Sequence, residues 1–176
     1  LFGYKSVTLK ECREHLMEFP CLSMIKQDAE DECSRELERI VSNADKNGRS
    51  IGFDNSWAQD PSLRGLRDQE TKQLLRDLMM LMVVKHYETN SIDEIISCGV
   101  VRVKTDLIFE QMGMKKVSKK SLFKQKDLND EPVHAFHTAE FSDYAKGVSV
   151  KYKSLWDSRI EIVCDRVGGF DEKSAA

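Results

Sequence analysis

The sequence predicts a single α/β (α+β) domain built on one mixed sheet, with a helical N-terminal part. Three observations predict it. A chain of 176 residues fits one domain and is long enough to bury roughly two-thirds of its unfolded surface. From Ser62 onward the apolar pattern runs helix, strand, helix, strand. The first half is otherwise rich in helical spacing and the second half in strand spacing. The domain therefore divides into a helical part at 1–50, a core at 51–117 and a strand-rich part at 118–176.

In chain order, Leu9, Cys12, Leu16 and Phe19 recur at helical spacing, with Thr8 as the cap ahead of Glu11. Pro20 is expected to stop that helix. A second helix is predicted from Asp28 to Ala44, with acids in its first turn and a narrow stripe of Cys33, Leu37, Ile40 and Val41. "SIGF" from Ser50 to Phe53 reads as a short strand, and "DNSWAQDP" after it as loop. The main helix is expected to begin at Ser62, and Leu74, Leu75, Leu78, Met79, Leu81, Met82 and Val83 cover more than one of its faces. Asn90 ends it, Asp93 to Cys98 reads as a buried strand, and Val103 to Met112 as a helix stopped by Gly113 before the strand "MKKV". Pro132 to Phe141 reads as a strand, and "GVSVKYKSLW" and "RIEIVCDRV" as two more.

Composition bounds the function. With 40% apolar and 32% charged residues and a formal charge of -3, the chain reads as globular and soluble, without a nucleic-acid or membrane partner. The basic run Met114 to Lys126 reads as a solvated loop. Cys12, Cys21, Cys33, Cys98 and Cys164 are odd in number and form no CxxC pair, which argues for reduced thiols in a cytoplasmic protein with no zinc knuckle. No apolar run is long enough to span a bilayer and no signal sequence is recognisable. Residue 1 is Leu, so a segment upstream stays open.

The most informative stretch is "SLRGLRDQE". A glycine beside a helix N-terminus exposes unpaired N–H groups, and Arg64 and Arg67 add fork-shaped donors suited to phosphate. The same residues fit an ordinary capped helix, with Ser62 as the cap and both arginines solvated or paired with Asp68 and Glu70. His134 and His137 do not make a metal pair, because positions three apart on a strand face opposite ways. Cys98 and Cys164 read as core thiols. Met79, Met80 and Met82 fill core gaps or line an adaptable pocket.

Taken in order, "DPSLRGL", "SIDEIISC" and "IFEQMGMKKV" resemble the acyl-CoA-binding core of the GNAT acyltransferase superfamily, across Phe53 to Val117. That resemblance implies a GNAT-like acyltransferase fold in which Leu63, Arg64, Gly65, Leu66 and Arg67 hold the donor, acyl-CoA or acyl carrier protein, with no tightly bound cofactor and no metal. Within the superfamily the chain looks closest to the acyl-homoserine-lactone (autoinducer) synthases, which also carry a tryptophan ahead of the loop, as Trp57 stands here. Trp57 and Phe109 are then the substrate contacts, Phe109 standing where many acetyltransferases have a tyrosine. Acyl transfer to a small amine needs a base, for which Asp54, Glu70 and Glu140 are the candidates. The rival reading is a non-enzymatic ligand-sensing or protein-interaction domain whose loop is only a helix cap.

Overall fold

The computed structural model describes residues 2–29, 31–63, 65 and 67–160. One mixed six-stranded sheet runs through it, formed by β1 (Phe2–Thr8), β2 (Ile51–Gln59), β3 (Glu94–Val100), β4 (Lys115–Lys116), β5 (Leu122–Gln125) and β6 (Glu131–Thr138). The strand order is β1-β2-β3-β6-β4, with β5 beside β4 on the outer edge of β6. Only β2 and β3 pair in parallel, joined through the long helix α4 (Gln69–Thr89); the other pairings are antiparallel.

Helices cover both faces. On one side α1 (Leu9–Glu14), α2 (Pro20–Asp28) and α3 (Asp31–Lys46) pack Cys12, Ile25 and Leu37 against Phe53, Ile96 and Val133 of the sheet. On the other, α4, α5 (Thr105–Gln111), α6 (Asp143–Lys151) and α7 (Lys153–Asp157) pack Met80, Val84, Phe109 and Val148 against Ile95 and Phe136. Adjacent Ile95 and Ile96 thus serve opposite cores, which is why β3 reads as a continuous apolar run.

Several expectations are corrected. The N-terminal part is not wholly helical, since β1 precedes its helices and pairs along β2. The Thr8–Glu11 capping box forms as expected, with Glu11 N–H donating to Thr8 Oγ1 at 3.1 Å. Pro20 opens α2 at its first helical position, where the missing N–H is no loss, and the preceding helix has already ended at Glu14. The "DNSWAQ" segment is strand, not loop. Ser62 lies in a short 3-10 turn, its N–H and hydroxyl both donating to Asp60, and α4 begins only at Gln69. "GVSVKYKSLW" belongs to α6 and α7, because Ser142 caps the helix and turns Ala145, Val148 and Ser149 inward at helical spacing. The strand expected at "RIEIVCDRV", with Cys164, lies almost entirely outside the described residues.

Two contacts fix the helices of the second core. Asp77, buried on α4, accepts hydrogen bonds from Tyr144 of α6 at 2.7 Å and from Gln73 at 2.8 Å, which satisfy the buried carboxylate. At the end of β3, Thr105 Oγ1 accepts from Val100 N–H at 3.0 Å and seats α5 directly over Gly99. A Cβ on Gly99 would lie 2.8 Å from Asp106 Cα, so no larger residue fits without moving α5. Gly147, on the exposed face of α6, has open space around it. Gly99→Ala is therefore expected to lower stability by about 1–3 kcal/mol, whereas Gly147→Ala raises it by about 0.5–1 kcal/mol. Denaturant unfolding of both variants checks this, and equal effects would refute the close-packing account of Gly99.

Candidate functional site

The site starts from one irregularity in β2. Gly3 pairs with Ala58 but Lys5 pairs with Asn55, so β2 carries one residue more than β1 between these points. Ser56 takes the left-handed conformation there, with φ 54°. Such a bulge bends its strand and increases the local twist. The β2–β3 ladder correspondingly ends at Asp54↔Ser97. Beyond it, β2 continues paired only with β1 and β3 only with β6.

Trp57 stands in the gap. Simple alternation would send it to the same face as Phe53, and the extra residue turns it to the α4–α5 side instead. There it stacks on Tyr4 with centroids 4.6 Å apart and meets Phe109 edge-on at 5.6 Å. Its Nε1 donates to Ser97 Oγ at 3.3 Å, and Ser97 Oγ donates to the Asp54 carbonyl at 2.9 Å.

Outside Trp57 lies a cleft of about 490 Å³ at the carboxyl ends of the parallel strands. Open α/β sheets characteristically bind ligands at such a place. Leu75 and Met79 of α4 and Val103 and Ile108 from the β3–α5 side give it apolar walls. Lys72 and Arg76, one helical turn apart, stand on one lip, and Arg102 and Lys104 on the other. Arg102 is committed to Glu131, but Arg76 and Lys104 form no salt bridge among the described residues. Lys104 is held at φ 61°, a strained position that costs on the order of 1 kcal/mol or more and fixes where its side chain leaves the turn.

The loop ahead of α4 behaves differently from the expectation. Asp68 caps the helix, accepting from Thr71 N–H at 2.7 Å, and the Thr71 contacts hold this carboxylate below its ordinary range. A carboxylate of the chain itself therefore occupies the positive end of α4. Arg64 and Leu66 fall outside the described residues; of the other three, Leu63 lines the cleft, and Gly65 and Arg67 are exposed and lie outside it. The helix is capped, but by Asp68 and not by Ser62 as expected.

Asp54 is fully buried on β2, beside the strand opening but behind Trp57. Burial pushes its carboxyl up to about 7, and the Ser6 and Tyr87 hydroxyls pull it partly back. Tyr87 does so through a hydrogen bond of 3.0 Å to Oδ1. Ser6 is its register partner, yet Ser6 Oγ and Asp54 Oδ2 are both buried outside hydrogen-bond geometry, so the Tyr87 contact is the firm one. Tyr87 and Tyr4 are themselves pushed far up by burial and then by Asp54, and stay protonated.

The other expected residues are dispersed. Glu70 is exposed in the first turn of α4. Glu140 pairs with Lys146 at 2.7 Å, which holds its carboxyl below the usual range, and lines a separate cavity of about 720 Å³. That cavity sits where Thr138 of β6 lies against Ile95, the opposite end of the sheet from the cleft. Phe109 is 1% exposed and packs edge-on against Trp57. His134 meets Ser121 and His137 meets Glu94, from opposite faces of β6. Among the described residues no group of three His, Cys, Asp or Glu is placed to hold a metal ion, and no helix is long and apolar enough to cross a membrane.

Sequence reasoning missed Tyr4, Ser6, Tyr87 and Ser97, and also the lip residues Lys72, Arg76 and Lys104. The i,i+4 spacing of Lys72 and Arg76 on the polar side of α4 is the one signal that pointed to the lip. Searches of protein-family models, curated proteins and solved structures each return no match to this chain.

A pH dependence follows from Asp54. Its folded pKa lies above the unfolded carboxylate value near 4, so the stability it contributes is fully present below about pH 4 and is lost as pH rises through about 7. Asp54→Asn, neutral at every pH and offering Ser6 a donor, is expected to be more stable than the parent at pH 8, by on the order of a few kcal/mol, and to lose that advantage towards pH 4. Thermal melts of both proteins across this range check the sign, and a constant difference would contradict the assignment.

Proposed function

We propose that this chain is a GNAT-like acyltransferase, which takes the acyl group of a thioester donor, acyl-CoA or acyl carrier protein, and passes it to a small amine. The observation that carries the reading is the parting of parallel β2 and β3 beyond Asp54↔Ser97, with a cation-lipped cleft at their carboxyl ends. An extended ligand arm bearing amides pairs well with strand edges that have lost their partners. Lys72, Arg76 and Lys104 suit the phosphates at the outer end of such an arm. In the reaction the amine attacks the thioester carbonyl, its proton passes to a base, and the thiolate leaves and is reprotonated. Asp54 is the candidate base favoured over Glu70 and Glu140, because it lies beside the strand opening and burial raises its carboxyl to about 7; being behind Trp57, it would take the proton through an intervening water. The free thiols Cys12, Cys21, Cys33 and Cys98 fit a reducing, cytoplasmic setting. Autoinducer synthesis, with S-adenosylmethionine as the amine, is the narrower form of the same proposal.

A ligand-sensing module is the second reading, favoured by one observation: none of the three candidate carboxylates lines the cleft. Turnover separates the two. We expect acetyl-CoA to bind by calorimetry, and Arg76→Ala and Lys104→Ala each to weaken it by about 1.5–3 kcal/mol, the worth of a charge-assisted contact. Arg67→Ala is expected to change little. Binding with no acylated product, with CoA and carrier-protein donors and a panel of amines, would favour the sensor; binding of neither donor would end the acyltransferase proposal.

A further inference from the structure

We infer that the donor site buries no more than a short length of acyl chain and that Trp57 sets this limit; this rests on the acyl-transfer reading above. The Trp57 indole lines the cleft. Other rings pack against it: Tyr4 stacks on it at 4.6 Å, Phe109 meets its edge at 5.6 Å, and Phe136 backs Phe109 at 5.7 Å. Phe109 and Phe136 are 1% and 0% exposed, so this is a filled aromatic core three rings deep. The hydrogen bond to Ser97 Oγ ties the indole across the gap between the strands, so that swinging it aside breaks a polar contact as well as a stack. A donor arm lying between β2 and β3 therefore brings its thioester up against the indole. An acetyl-sized group fits there without displacing it. A longer alkyl chain must turn outward over Val103 and Leu107, each 53% exposed, and remain largely in water.

The consequence is a flat dependence of affinity on chain length. A site that buried the chain would gain about fourfold in affinity for each added methylene, hence roughly 250-fold over the four methylenes from butyryl to octanoyl. The plugged cleft gains little or nothing.

Calorimetry with CoA, acetyl-CoA, butyryl-CoA, octanoyl-CoA and dodecanoyl-CoA tests this on the intact chain. We expect the parent protein to bind all the thioesters with similar affinity beyond acetyl, and Trp57→Ala to acquire a rising series. Since Trp57→Ala removes a stacked ring and could fail to fold, Trp57→Leu serves as the milder opening and Trp57→Phe as the variant that keeps the plug and the flat series. A parent protein that already gains fourfold per methylene overturns the inference while leaving acyl transfer standing. So does a Trp57→Leu protein that folds but stays flat. If CoA and every thioester fail to bind, the acyl-CoA reading falls and the inference falls with it.

Discussion

The bulge at Ser56 decides which way Trp57 points, and much of the site depends on that one extra residue. Without it, strict alternation would bury the indole under α1–α3 beside Phe53, and β2 would stay in register with β3 to its end. With it, the indole crosses to the α4–α5 side, finds Tyr4 and Phe109, and the strand edge peels from β3. The left-handed backbone of a non-glycine residue costs free energy, and the stacking and the Trp57–Ser97 hydrogen bond offset it. Strain, aromatic packing and an open strand edge are thus one linked arrangement.

Asp54 extends the same logic. A carboxylate on the last residue of β2 to pair with β3, buried with one oxygen unpartnered, is a poor choice for stability alone. Tyr87 reaches from α4 to give it a single donor, across a gap that glycine at position 52 keeps open: a Cβ there would fall 2.6 Å from the Tyr87 hydroxyl. The contrast with Asp77 is instructive. Both are buried aspartates touching α4, but Asp77 receives two donors and locks α6, whereas Asp54 is left half satisfied where the strands part. Groups kept in that condition concentrate at functional sites.

What was legible in the sequence follows the strength of local signals. The Thr8–Glu11 box, the Cys33–Leu37–Ile40–Val41 stripe, the apolar spine of α4, the buried β3 and the Gly113 stop, at φ 94°, each carry their own periodicity or backbone requirement. β1 was missed because "FGYKSVT" alternates weakly and its partner lies more than forty residues away, Thr8 against Gly52. "DNSWAQ" reads as loop because polar turn-formers are what a bulged, half-buried strand contains. "GVSVKY" mimics a strand through its β-branched residues, and the Ser142 cap together with packing on α4 makes it a helix. The expected cap Ser62 gives way to Asp68, whose carboxylate accepts from Thr71 N–H. Of the site, Trp57, Leu63 and Asp54 could be singled out from the sequence; the cationic lip could not, because Lys104 joins Lys72 and Arg76 only through the β3–α5 turn.

The outer edge of β6 has a further consequence. It is not covered by one long strand but by two short ones, β5 along its first half and the two-residue β4 along its second, with Val117 N–H donating to Ala135 O and Ala135 N–H to Ser121 O where they meet. The exposed residues of this rim include Lys115, Lys116 and Lys124. A rim broken into pieces and studded with lysine offers no continuous ladder to a passing strand, so this flank of the sheet resists recruiting other chains into intermolecular β-structure.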